Sequence, residues 1–252
     1  MTDAIASRVR LWIDTDVGDD PDDAVALCAA ARHPLVDLVG VSTVSGNVDR
    51  RADLARALLD ELDNRAPVYA GAPPPDALAD ADALLAIGPL TNVVELIGYL
   101  PPRMAIMGGA TRAVDHRGER RTIEHNFSCN PVAAATVVRR CHNAVVVPLD
   151  VTAKMTLDDQ QVAALANAEP ALRGALDSWR AHTEFPVCLH DPLAFLVLMG
   201  EAPVTVVSRS LEVRGRGTLY VMVDGGERHD VATDVDAPAA IARVLELVEH
   251  RG

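Results

Sequence analysis

Aromatic residues make up only 3% of this 252-residue sequence, too few to stack successive bases along a strand of nucleic acid. Cysteine is scarce and dispersed: Cys28, Cys129, Cys141 and Cys188 include no CxxC pair. That spacing excludes a disulfide framework or a zinc site and leaves reduced thiols in or near the core. No apolar stretch reaches transmembrane length, and the start has no basic, apolar, small-residue order, since Arg8 and Arg10 lead straight into a strand-like run. A cytoplasmic protein without membrane contact is expected. Basic residues are scattered and outnumbered, giving a formal net charge of -13, which argues against nucleic-acid and anionic-membrane partners. A small-molecule partner fits better.

What is present is apolar and periodic. With 49% hydrophobic residues, the chain is long enough to bury a substantial core, and residues 1–252 are read as one domain. Short apolar runs alternate with amphipathic segments, the pattern of strand-helix-strand units and a mostly parallel central sheet flanked by helices, a Rossmann-like α/β fold. Strands are predicted at Val9–Asp14, Leu38–Val44, Ala83–Ile87, Met104–Met107 and Val145–Leu149, with a helix over Asp49–Leu62. The C-terminal part changes character. Val204–Ser208, Leu211–Val213 and Thr218–Val223 read as strands of a small antiparallel extension, closed by a helix from about Ala237 to Glu249. In open parallel sheets ligands bind beyond the carboxyl ends of the strands, and the unusual segments lie there: DTDVGDDPDD, SGN, GPLTN and MGGA each follow a predicted strand.

DTDVGDDPDD places six aspartates in ten positions, Asp14 to Asp23. Ordinary helix chemistry accounts for half of them: Pro21 at the first helical position makes Asp20 the N-cap and puts Asp22 and Asp23 in the first turn. That chemistry does not explain Asp14 and Asp16, which sit at the strand end before the turn. Two carboxylates 4 Å apart repel by about 4 kcal/mol at an effective dielectric near 20, so the side chains either splay into water or share a cation. Oxygen-only ligands favour a hard ion, and calcium tolerates irregular loop cages better than magnesium does. The spacing is not that of an EF-hand, because counting from Asp14 the fifth residue is Gly18 and the twelfth is Val25. WIDTDV also resembles the nucleophile motif of haloacid-dehalogenase-type phosphatases, with Asp14 as nucleophile. That family needs a downstream lysine and a second acidic pair. The one lysine, Lys154, is not followed by such a pair.

A second acid, Asp191, stands in CLHDPLAFLVL beside His190. The simplest reading makes Asp191 an N-cap and Pro192 the first helical residue. Taken together, however, the segments match a family. DTDVGDDPDDAVAL, VSTVSGN, PVYAGA, AIGPLTNV, IMGGA, EHNFSCNP, PLDVT and HDPLA, in this order from Asp14 to Ala194, resemble the motifs of the inosine-uridine-preferring nucleoside hydrolases.

The resemblance implies the nucleoside hydrolase fold and hydrolysis of the N-glycosidic bond of ribonucleosides to free nucleobase and ribose. It implies Ca2+ held by Asp16, Asp23 and Asp191 with the main-chain carbonyl of Ile87, and Asp16 as general base. Asp22, Asn47, Met107, Glu124 and Asn126 would hold the ribose, and His190 would donate a proton to the departing base. It further implies a role in purine or pyrimidine salvage and a homodimer or homotetramer. Several of these residues also have plainer readings: Asn47 as a turn residue, Met107 as core, and Glu124 as a solvated charge. Asn130 reads as an N-cap, and His125, His142 and Cys129 as structural or surface residues. The chain is short for the group around GAPPPD and between PLDVT and HDP, both on the base side, so base preference is not inherited. RAVDHRGERR stands where the family often has an asparagine for the ribose 5′-hydroxyl. The longer aspartate turn leaves Asp14, Asp19 and Asp20 as alternative ligands. A relative that binds a nucleoside or pentose without turnover is the second reading.

Overall fold

The computed structural model describes residues 8–216 and 219–250. From the N-terminus it runs β1 (Val9–Thr15), α1 (Asp22–Arg32), β2 (Val36–Thr43), α2 (Val48–Glu61), β3 (Val68–Ala70), β4 (Ala83–Ala86), α3 (Thr91–Glu95) and β5 (Arg103–Met107). A small hairpin of β6 (Val114–His116) and β7 (Glu119–Arg121) follows, then α4 (His125–Cys129), α5 (Pro131–Arg140), β8 (Ala144–Val147) and α6 (Leu149–Thr152). The chain continues through α7 (Asp159–Ala168), α8 (Arg173–His182), α9 (His190–Met199), β9 (Val204–Arg216), β10 (Leu219–Asp224), β11 (Glu227–Val235) and α10 (Ala237–Glu249). Nine strands form one sheet in the order β10-β9-β11-β8-β5-β4-β1-β2-β3. It is parallel from β11 to β3, and β9 joins β11 and β10 antiparallel.

Strict alternation along the central strands divides the core between the two faces. Leu11, Ile13, Ala83, Leu85, Ala105 and Met107 point into the layer built on α1, α9 and α10. Trp12, Leu84, Ala86, Met104 and Ile106 point the other way, toward α3 and α5. α9 is almost wholly buried, which is why HDPLAFLVLM shows no polar face. Trp12 is accommodated because Gly40 faces it across a register shift between β1 and β2; a Cβ at Gly40 would lie 2.2 Å from the indole. Gly40→Ala is therefore expected to destabilise the fold by roughly 2–3 kcal/mol, read as a lower midpoint in urea unfolding.

The α/β architecture with a C-terminal antiparallel extension agrees with the sequence expectation, and α10 spans the predicted residues. Three details differ. β9 is one continuous strand through Arg209 and Ser210, where two strands were expected, because that pair carries neither Gly nor Pro to break the run. β3, β11 and the β6–β7 hairpin were not anticipated, and the predicted strand at Thr218–Val223 begins outside the described residues. Among the described residues no helix is long and apolar enough to cross a membrane.

Candidate active site

The carboxyl ends of β1, β4 and β5 and the first turns of α1 and α9 converge on a cavity of about 250 Å3. Gly18, at φ +129°, lets the aspartate turn reverse; a Cβ there would meet Leu54 at 2.7 Å. Arg51 of α2 then clamps the turn: Nη2 donates to Asp19 at 2.7 Å, Nη1 to the carbonyls of Val17 at 3.1 Å and of Asp16, and Nε to Ser45 O at 3.0 Å. No pattern in the sequence announces Arg51 in this role.

Asp22 and Asp23 open α1, and Asp191 is the second residue of α9. All three are buried, and each offers a carboxylate oxygen within 4.8 Å of the others. The capping expectations are corrected here. The residue before α1 is Pro21, in helical conformation and without a side-chain cap, and Asp20 is drawn off to Arg117. α9 likewise begins without a side-chain cap at Leu189, two residues earlier than expected, so Asp191 lies inside the helix rather than at its cap. Two helix N-termini thus aim their partial positive charge at the same carboxylates. Asp23 also accepts from the Thr15 hydroxyl. Burial still dominates: it pushes Asp23 and Asp191 well above the usual carboxylate range and Asp22 up to about 7, with the neighbouring acids adding to the rise.

Asp16 lines the same cavity. Burial raises its pKa to about 6 against the opposing pull of Arg51. Asp14 lies elsewhere. It is sealed beneath the strand ends, where Oδ1 accepts from Ser42 at 2.5 Å and from Asn92 at 2.8 Å, and it is not part of the cavity wall. A nucleophile needs access, so the phosphatase reading loses its residue.

Glu124 and Asn126 bring the EHN segment to the wall. Glu124 caps α4, and its carboxylate takes the backbone N–H groups of Asn126 at 2.7 Å, Gly109 at 2.9 Å and Phe127 at 3.0 Å. It is a buried, bonded group rather than a solvated charge. Asn126 Nδ2 donates to Ile87 O at 2.9 Å and Met107 O at 3.2 Å, tying the ends of β4 and β5 together; Ile87 and Met107 both line the cavity. Asn47 is not brought there. It is exposed and caps α2 through a bond from Arg50 N at 3.0 Å, as its turn-residue reading expected. Asn130 is the N-cap of α5.

His190 is buried at the cavity, with Nδ1 2.8 Å from the Thr152 hydroxyl and its ring edge-on to His116 at 5.0 Å. Burial, then His116 and Arg117, lower its pKa to about 3, so the imidazole is neutral at physiological pH. His125, assigned by its sequence context to a structural or surface role, lines the cavity, as do His116, Arg117 and Arg121 of the β6–β7 hairpin. The hairpin residues were missed because RAVDHRGERR has no apolar alternation to mark it as strand.

The family model for the inosine-uridine preferring nucleoside hydrolases matches residues 11–83 and 79–242. The chain belongs to this family. Among its relatives, the non-specific ribonucleoside hydrolase RihC of Escherichia coli O17:K52:H18 is 30% identical over 308 aligned residues, covering 96% of this chain and 99% of that protein. RihC of Escherichia coli O7:K1 is 28% identical, covering 95% and 94%. An alignment of 308 positions against 252 residues means that the first relative carries segments this chain lacks. The fold matches an inosine-guanosine nucleoside hydrolase with a TM-score of 0.80 at 19% identity, over 97% of this chain and 100% of that one. It also matches the purine-preferring ribonucleoside hydrolase of Gardnerella vaginalis with a TM-score of 0.77 at 19% identity, over 95% and 99%.

Proposed function

We propose that this nucleoside hydrolase family member cleaves the N-glycosidic bond of ribonucleosides with water, releasing nucleobase and ribose. The observation carrying this reading is the convergence of Asp22, Asp23 and Asp191 from two helix N-termini on one cavity that Glu124 and Asn126 also line. The donor set is suited to a hard divalent ion. Every candidate ligand is an oxygen, the carboxylates are buried, and their mutual repulsion needs a counter-charge. Asp23 and Asp191 would hold it, with Asp16 and the Ile87 carbonyl from the facing strand ends and with Asp22 within reach.

Calcium, the ion we assign, would make a bound water more acidic and would add positive charge beside the sugar hydroxyls. Asp16 accepts the proton of the attacking water. Asp22, Asn126 and Glu124 orient the ribose, turning binding into positioning. The anionic surroundings favour the positive charge that develops on the sugar as the C1′–N bond breaks. His190, neutral and oriented by Thr152, is a hydrogen-bond donor to the base rather than a charged acid. The same reading places the protein in cytoplasmic nucleoside salvage as a homodimer or homotetramer.

Purified protein with calcium, offered a panel of purine and pyrimidine nucleosides, is expected to release reducing sugar from at least one. Binding without release on every member would select the non-catalytic relative instead.

A further inference from the structure

His190 presents its two ring nitrogens to different surroundings. Nδ1 points into the protein, 2.8 Å from the hydroxyl of Thr152, the last residue of α6, and 3.9 Å from Cys188 Sγ. Nε2 has no hydrogen-bond partner among the described residues and is not sealed off, so it opens on the cavity that His190 lines. Thr152 itself is fully buried and is not part of the cavity wall. Any effect it has on a reaction there passes through the imidazole.

The direction of the Thr152–His190 bond follows from the alternatives open to a single hydroxyl proton. Its other acceptor, Leu149 O, lies 3.4 Å away and already accepts the Ala153 N–H at 2.8 Å. That separation is beyond the usual O–H···O range, whereas the distance to Nδ1 is inside it. The Cys188 thiol does not compete for Nδ1, being nearer to the Thr152 carbonyl, at 3.4 Å. Were Nδ1 to carry the ring proton and donate to Thr152, the hydroxyl proton would be left buried with only a long approach to an occupied carbonyl, which folded proteins rarely tolerate. The hydroxyl therefore donates and Nδ1 accepts.

A neutral imidazole has one N–H, and the bond made by one nitrogen decides whether the other is donor or acceptor. With Nδ1 accepting from Thr152, the N–H is at Nε2, on the cavity side. On the reading above, breaking the C1′–N bond leaves its electron pair on the base, whose nitrogens grow more basic. An Nε2–H meets that charge with a donor; the opposite tautomer would meet it with a lone pair. A misplaced ring proton disables a catalytic histidine even where its geometry is intact.

We infer that Thr152 is a positioning residue: its hydroxyl donates to His190 Nδ1 and thereby holds the ring as the Nε2–H tautomer that donates to the departing nucleobase. The tautomer is independent of the proposed function; only its use in catalysis rests on that reading.

The test compares wild type with Thr152→Val, which keeps the branched shape and removes the hydroxyl, and with Thr152→Ser, which returns it. On the nucleosides that wild type accepts, Thr152→Val should lower kcat by roughly 100-fold, with KM changed less than about threefold. On para-nitrophenyl β-D-ribofuranoside, whose phenolate departs without a proton donor, the loss should stay below about threefold. Thr152→Ser should recover most of the difference. A packing defect would lower turnover of both substrate classes alike, and equal losses would overturn the inference. A second readout needs no turnover. Imidazole nitrogen NMR spectra of the calcium-loaded protein, with His190 assigned through His190→Gln, should show Nε2–H in wild type and a mixture of tautomers in Thr152→Val. An Nδ1–H ring in wild type would overturn the assignment. Nε2–H in wild type that is lost in Thr152→Val, with no nucleoside turned over by any of these proteins, would keep Thr152 as the residue that sets the tautomer and overturn the hydrolase reading.

Discussion

Replacing Asp23 by Asn is expected to lower kcat/KM on every accepted nucleoside by on the order of 1,000-fold while leaving the fold intact. Asp23 is buried in the first turn of α1 and holds the Thr15 hydroxyl, a bond that the Asn carbonyl oxygen retains. The change removes one negative charge from a group of buried carboxylates and little else. Without an ion, each close pair costs about 4 kcal/mol at an effective dielectric near 20, so the metal-free variant should unfold at the same temperature as wild type or higher. With calcium, wild type gains stability and the variant gains much less. Lost activity, lost calcium response and undiminished metal-free stability together distinguish a ligand from a packing residue. A variant that keeps its turnover, or that loses it by unfolding, would remove Asp23 from the metal set. Isothermal titration with calcium and differential scanning calorimetry measure both halves.

The sequence made the scaffold visible but only part of the site, for a physical reason. Alternation in VRLWIDT and in RMAIM is a local property, and the two faces of the sheet follow from it residue by residue. The run after Pro192 reads as helix from its length and cap, and its near-complete burial fits its lack of a polar face. The acids were harder. Capping rules placed Asp20 and Asp191 at helix ends, and tertiary structure overrode both: Arg117, far along the chain, takes Asp20, and α1 lying beside α9 turns Asp191 toward Asp22 and Asp23. Asp14 belonged to the same run of acids yet is sealed off by Ser42 and Asn92, because it lies within β1 between paired strands, whereas Asp16 lies beyond the strand end, where the chain turns along the cavity. The β6–β7 wall was out of reach for a different reason. Its strands are three residues each and polar throughout, and what holds Arg117 in place, Trp179 and Phe185, comes from the segment around α8.

The same buried acids make stability depend on pH in a direction opposite to that of most carboxylates. Asp14 and Asp22 are raised to about 7 and Asp16 to about 6, in each case chiefly by burial, and burial likewise pushes Asp23 and Asp191 well above the usual carboxylate range. Unfolded aspartate titrates near 3.9. Between about pH 4 and pH 7, therefore, the metal-free folded state binds more protons than the unfolded state, and the slope of unfolding free energy against pH is negative. The contribution of these groups is complete below pH 4 and is lost as pH climbs through the folded values. Calcium binds the ionised carboxylates, so its stabilisation grows over the same interval. At a concentration 100 times Kd it reaches about 2.7 kcal/mol, a rise in Tm on the order of 5–10 °C for a chain of this size. Scans with chelator and with calcium should then diverge from pH 5 to pH 8. Comparing the two at each pH cancels the ordinary surface acids, which contribute equally to both. A calcium increment that stayed constant across this range would mean the ion binds away from Asp22, Asp23 and Asp191. The increment should also shrink in Asp191→Asn, since an ion shared between α1 and α9 cannot be held from one helix alone.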